Sequence, residues 1–331
     1  MSAIRDGIRR VNGAPAILAG VWILTVVTGL PLAAALRVSL ATHLGQSLAA
    51  DSAASGANYD WMQEFADQAS GIGVTFKPTM IGFGAVLDNL SAFLDVTARP
   101  VAIVAIASLY VLAWIFLAGG IVDRFARDRR TGAHGFFAAC GVFFFRFLRL
   151  AVVQWLVYAF LFAYLHDWLF GTFYPRITHE VNVERTAFVI RLALYLVFGI
   201  LVAAAALVFD YAKVRAVVED RRGMLSAIGA ALGFIRRNTA AALGVFAANF
   251  LLFVAVIGVY ALAAPGAGGA GPSIWVGFAV SQLYIVGRLW VKLVFWASET
   301  ALFQRRLAHA RYVVRPAPVW PDSPAAEAVR T

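Results

Sequence analysis

The sequence predicts an all-α, polytopic membrane protein with six transmembrane helices and additional in-plane amphipathic helices. Composition is the first reason: 61% of the 331 residues are hydrophobic and 14% charged, against about half and about a quarter in a soluble domain. Mean hydropathy, at +0.77, agrees. The second reason is spacing. Six apolar stretches, at about 14–36, 100–121, 150–170, 188–209, 240–263 and 274–296, are each 21 to 24 residues long, enough to cross a hydrocarbon core with some tilt. In lipid every backbone N–H and C=O must be paired within its segment, so runs of this length are helices. The same numbers exclude a disordered chain, a collagen and a disulfide scaffold, and the single cysteine, Cys140, has no intrachain partner. Residues 1–315 read as one six-span domain.

Arg5, Arg9 and Arg10 precede the first span, and Ala33, Ala34 and Ala35 follow it, as in a signal peptide. The apolar stretch between them exceeds the 7–15 residues of a signal sequence, so an uncleaved span is expected. Leu36, Leu40, Leu44 and Leu48 recur every fourth residue, which continues the helix until residues 51–58 break it. Asp60 is the expected N-cap of a short polar helix. Lys77-Pro78 opens a third piece, in which Phe83, Leu87, Leu90 and Leu94 form the stripe of an amphipathic helix lying on the membrane or capping the bundle. These pieces make 37–99 the one large extracytoplasmic segment.

Charge sets the orientation. Residues 1–13, 122–149, 210–239 and 297–331 carry 20 Lys and Arg, whereas the segments on the other side carry five. By the positive-inside rule both termini face the cytoplasm. The net charge of +10 does not indicate nucleic acid, because the basic residues flank spans, where they set topology and attract anionic headgroups.

The two cytoplasmic connections resemble each other. Asp123, Arg127 and the triplet Asp128-Arg129-Arg130 precede an apolar stretch with Gly141 and Arg146. Asp210, Lys213 and the triplet Asp220-Arg221-Arg222 precede one with Gly233, Arg236 and Arg237, and the triplets lie 92 residues apart. This predicts a tandem repeat of span, in-plane amphipathic helix and span. The apolar load of the first in-plane helix is Phe136, Phe137, Phe143, Phe144, Phe145 and Phe147, and of the second Leu225, Ile228, Ala231, Leu232 and Ile235. Residues 304–315 continue the sixth helix, and the prolines at 316, 318, 321 and 324 make 316–331 a disordered tail.

Few motifs carry chemistry. Gly266, Gly268 and Gly271 match G-x-G-x-x-G, but no strand precedes them and no amphipathic helix follows, so they read as a turn and no cofactor is expected. His166, Asp167, His179 and Glu180 cluster without the spacing that sets two imidazoles on one helix face, so no metal is expected. No phosphate loop, nucleophile elbow or intramembrane carboxylate pair is present in the sequence, and no enzyme is expected. Asn249, Gln154 and Gln282 are uncharged polar groups within spans, with helix-joining hydrogen bonds as their ordinary use. Arg191 and Lys292 lie near span ends and can reach the interface, but Arg288 is deeper. It calls for a carboxylate, with Asp123, Asp210 or Glu299 as candidates, or for a lipid phosphate.

Asp210-Tyr-Ala-Lys-Val-Arg-Ala-Val-Val-Glu-Asp-Arg-Arg, continuing to Ala-Leu-Gly-Phe-Ile-Arg-Arg, together with Gly119-Gly120-Ile-Val-Asp123-Arg and Phe147-Leu-Arg149-Leu, resembles a pattern in uncharacterised bacterial six-span membrane proteins. These are similar to the membrane domain attached to some bacterial glycerophosphodiester phosphodiesterases. The catalytic domain of those enzymes has no counterpart in this sequence, so the resemblance implies an inner-membrane location and no hydrolytic residue.

The resulting expectation is a non-enzymatic protein that binds or moves a lipid-like anionic amphiphile at the cytoplasmic leaflet. Arg288 and Lys292 would form its site together with Arg146, Arg236 and Arg237 of the in-plane helices, and anionic membrane lipids would be its partners. The alternative is a scaffold that docks proteins on those helices; no particular protein partner follows from the sequence.

Overall fold

The computed structural model describes residues 2–55, 58–77, 79, 82–264, 266 and 273–309. Among these residues every regular element is helical: α1 (Ser2–Asn12), α2 (Pro15–Leu44), α3 (Ala50–Ser55), α4 (Tyr59–Gln68), a 3₁₀ turn (Gly73–Thr75), α5 (Gly84–Leu94), α6 (Val101–Arg127), α7 (Ala133–Ala159), α8 (Tyr174–Thr178), α9 (Glu184–Val218), α10 (Met224–Arg237), α11 (Thr239–Ala263) and α12 (Ser273–His309). Between α7 and α8 the helix continues through two widened, π-helical stretches, Phe160–His166 and Trp168–Phe173. Six helices are long and apolar enough to cross a membrane: Pro15–Leu44, Val101–Arg127, Ala133–Thr178, Glu184–Val218, Thr239–Ala263 and Ser273–Leu307. The chain is thus an all-α, multi-pass membrane protein.

The packed core sits at one end. Its fully buried members are Ile121, Val122 and Phe125 of α6, Tyr211, Ala212 and Ala216 of α9, and Leu293, Val294, Ala297 and Phe303 of α12. That end also gathers the arginines of the two triplets, and we call it the basic end. Toward the opposite, far end the flanks of α2, α9 and α11 expose Leu30, Val38, Leu196, Ile200, Leu251 and Val259. In lipid these side chains lose nothing by staying outside, because acyl tails are as apolar as their own neighbours.

Helix α1 adds to the basic end. Ala3, Gly7 and Val11 recur every fourth residue and are buried. A Cβ on Gly7 would lie 2.7 Å from the Ser298 backbone nitrogen, so only glycine lets α1 approach α12 this closely. Arg10 Nη1 donates to the Phe125 carbonyl at 2.7 Å and to Gln304 Oε1 at 2.8 Å. Arg9 pairs with Asp128 at 2.6 Å, and Arg305 with Asp6 at 2.5 Å. Arginines read as a flanking charge therefore clamp α1 to α6 and α12.

Several expectations need correction. The first connection holds no separate in-plane helix. Residues 133–159 are one helix, because Gly119 and Gly120 open a groove on α6 into which Phe136, Ala139, Cys140 and Phe143 pack lengthwise. In the second connection α10 is a separate helix, but it runs back along α9 and buries Met224, Ala227, Ala231 and Phe234, leaving Leu225 and Leu232 exposed. Ile228 and Ile235 are half-buried against the core, so the buried face of α10 is turned from the expected one. On the far side the N-cap of α4 is Asn58, whose side chain accepts from Trp61 N at 2.9 Å, the third residue on. Asp60 lies in the first turn, and Asp51 starts α3 instead of only breaking α2. Helix α5 forms as expected and buries none of its residues against protein. Pro78, the stretch 267–271 of the glycine-rich turn, and the tail beyond 309 lie outside the described residues.

The expected repeat of span, in-plane helix and span does not form, because α7 is continuous where α10 is separate, but the two connections share a backbone geometry. Asp128 and Asp220, 92 residues apart, both adopt the left-handed conformation, with φ of 50° and 49°. Each turns its chain from a spanning helix into one that packs back on it.

A candidate binding cavity between the spans

Where α2, α6, α7, α9, α11 and α12 diverge above the core they leave a cavity of about 1110 Å³. Its wall is mostly apolar, with Ile103, Ile106, Leu150, Phe253 and Ile285 among its members, and it carries four charged groups: Asp210, Lys213, Arg288 and Lys292. Three cations thus face one carboxylate.

Asp210 is paired through one oxygen. Its Oδ1 accepts from Lys213 Nζ at 2.8 Å, one turn along α9, and from Trp296 Nε1 at 3.1 Å on α12. Arg288 and Lys292 are not: neither makes a hydrogen bond or ion pair with any described residue. They rest on aromatic faces, Lys292 Nζ 3.7 Å from the centroid of Trp114 and Arg288 Cζ 5.5 Å from that of Tyr284. Trp114 and Trp296 meet edge to face at 5.7 Å. Such contacts orient a cation while leaving its N–H groups free for an anion. Both side chains have accessible surface deep in the bundle because what they face is the cavity.

The sequence-predicted site is divided by the fold. Arg288, Lys292 and Asp210 come together, but Arg146, Arg236 and Arg237 do not join them. Arg146 stays near the basic end of the continuous α7 and pairs with Asp220 at 2.5 Å. Arg236 and Arg237 close the last turn of α10, exposed. Asp123 pairs with Arg127 of its own helix at 2.7 Å. Glu299 is fully buried behind the cavity, with no hydrogen-bond partner on either oxygen among the described residues, and does not line the cavity. None of the three candidate carboxylates pairs with Arg288.

Sequence reasoning missed Lys213 and the aromatic wall of Trp114, Trp296, Tyr110 and Tyr158. The i, i+3 pair Asp210/Lys213 and Trp296 at i+4 from Lys292 were usable signals; Trp114, on a distant helix, offered none. The intramembrane amides divide between joining and lining. Gln282 accepts from Trp22 Nε1 at 3.1 Å, Asn249 donates to Ser298 Oγ at 2.6 Å, and Gln154 lines the cavity. His166 is buried on the Leu94 carbonyl, and among the described residues no three His, Cys, Asp or Glu side chains are placed to hold a metal ion.

Compared with protein-family models, with curated proteins and with solved structures, the chain matches none.

Proposed function

We propose that the chain is a non-enzymatic inner-membrane protein that binds or moves an anionic amphiphile through this cavity, with both termini in the cytoplasm. One observation carries the reading: Arg288 and Lys292 are two cations without an ion-pair partner in a largely apolar, aromatic-walled space. An unpaired charge inside a membrane is costly and is commonly kept for function. An anionic headgroup would supply the missing counter-charge, and the apolar wall suits an acyl chain. The volume, about 1110 Å³, is at the upper end of small-molecule sites and admits a headgroup with part of a chain.

The test is the lipid that accompanies the protein. In native lipid nanodiscs, mass spectrometry should find one anionic class enriched over bulk membrane, and Arg288→Ala and Lys292→Ala should lose it while folding normally, since neither substitution orphans a protein partner. Lipids matching bulk membrane in wild type and variants alike would overturn the reading. Orientation rests on the excess of 20 basic residues over five. A cysteine at Ser2 should react with a membrane-impermeant reagent in inverted vesicles and not in intact cells, against the low background of buried Cys140.

A further inference from the structure

A second cavity, about 570 Å³, lies at the far end, between the residues before α6, the π-helical continuation of α7 and the first turns of α9. It shares no lining residue with the first cavity, although on the continued α7 Tyr158 of one wall and Phe162 of the other stand about one turn apart. Three backbone irregularities meet here. Val96 has φ 51°, a costly conformation for a β-branched residue, and both π-helical stretches contribute wall residues. Such distortions persist only where surrounding contacts enforce them, and they gather at binding sites.

The enforcing contacts can be named. His166 Nε2 bonds the Leu94 carbonyl, Tyr195 donates to Asp95 Oδ1 at 2.6 Å, and Ser91 Oγ donates to Asp95 Oδ2 at 3.0 Å. Arg191 Nη2 reaches Asp95 Oδ1 at 3.3 Å. Phe170 stacks on Tyr195, with centroids 4.4 Å apart, and lies 4.6 Å from His166.

Two charged groups keep free capacity. The Arg191 side chain is 48% exposed and lies over the faces of Tyr174 and Tyr195, its Nη1 engaged by no described residue. Asp167, on the α7 wall, is exposed and has no partner among the described residues. A ligand that is only anionic would bring its charge toward the Asp167 carboxylate, and one that is only cationic would bring its charge toward Arg191. A molecule with both signs satisfies both. We propose that this cavity binds a phosphate carrying an ammonium group, the chemistry of a zwitterionic phospholipid headgroup or of a soluble phosphoalkanolamine. Arg191 donates to the phosphate, while the Asp167 carboxylate receives the ammonium. Tyr164 and Trp168, exposed on the adjoining helix surface, are residues suited to a membrane interface, so a lipid has direct access.

Calorimetric titration of the purified full-length protein in detergent tests this with three probes: short-chain phosphatidylethanolamine, short-chain phosphatidylglycerol and soluble glycerophosphoethanolamine. Phosphatidylethanolamine should bind at least tenfold tighter than phosphatidylglycerol. Asp167→Asn should abolish that preference with the melting temperature unchanged, because Asp167 has no protein partner to lose. Arg191→Gln should weaken both lipids. Glycerophosphoethanolamine binding as tightly as the lipid would support the site and assign it to a soluble ligand; binding it more weakly would support the site and assign it to the lipid. Equal affinity for the two lipids in wild type, or a preference that survives in Asp167→Asn, would overturn the proposal.

Discussion

The hairpins α6–α7 and α9–α10 perform the same turn with different chemistry. Both reverse at an aspartate in the left-handed conformation, and both bring a phenylalanine of the returning helix onto the outgoing one, Phe143 onto Gly119 and Phe234 onto Tyr211. The first closes by removing side chains: a Cβ on Gly120 would lie 2.5 Å from Cys140 Sγ and 2.8 Å from the Phe136 carbonyl. The second is closed by side chains, with Arg215 donating to the Ala230 carbonyl across the hairpin and Glu219 accepting from both Arg215 and Arg221. An i, i+4 ion pair stands at matching positions with its sign reversed, Asp123/Arg127 in one hairpin and Arg215/Glu219 in the other. The backbone route is shared, and the interactions that hold it are interchangeable within steric limits.

The largest expected effect tests the steric side. Gly120→Ala should cost about 1–3 kcal/mol by overpacking against backbone, whereas Ala212→Gly at the matching position of α9 should cost about 1 kcal/mol through backbone entropy. Denaturation midpoints in detergent measure both, and equal costs would break the comparison.

Next comes the polar side. Arg215 is 15% exposed and bridges two helices, whereas Arg127 is 50% exposed and pairs only along its own helix. Arg215→Ala should therefore cost about 2 kcal/mol, from an unpaired carbonyl and a weakened pair, and Arg127→Ala under about 1 kcal/mol. A double-mutant cycle over each pair would sharpen the figures.

A pH effect follows from the same contrast. Burial pushes the Glu219 carboxyl up, but Arg215 and Arg221 outweigh it and hold it below the ordinary carboxylate range. A depressed folded-state value contributes stability above the unfolded value, about 4.3, and loses it as pH falls through the folded value. Glu219→Gln should lower the melting temperature at pH 7 and flatten its acid dependence. Parallel curves for wild type and variant would refute this.

The smallest effect concerns the turns themselves. Asparagine tolerates the left-handed region, so Asp128→Asn and Asp220→Asn should keep the turns and lose only the pairs of Asp128 with Arg9 and Arg10 and of Asp220 with Arg146, each under about 1 kcal/mol. A larger loss in thermal melts would assign the aspartates more than a turn.

Much of the architecture was legible because lipid simplifies the code. Apolar length alone marks a span, and the Asp-Arg-Arg triplets marked both reversals. The first in-plane helix was misread because a run rich in phenylalanine looks amphipathic until the glycine groove of α6 is known to receive it. The candidate site was half legible. Arg288 and Lys292 stood out as charges within an apolar run, with Trp296 one turn on, but Trp114 and Asp210 reach them from two other helices far away in sequence.

By itself, then, the sequence determined that six helices cross a membrane and that positive charge lies toward one side, because burying an unpaired backbone group or a charge in hydrocarbon outweighs any local preference. Only the tertiary structure decided that the core lies at the basic end, that α1 is clamped there by arginines, and that diverging spans leave two cavities lined with charged groups. Those outcomes depend on which small residues let helices approach, a choice of fractions of an ångström between surfaces that hydropathy scores alike.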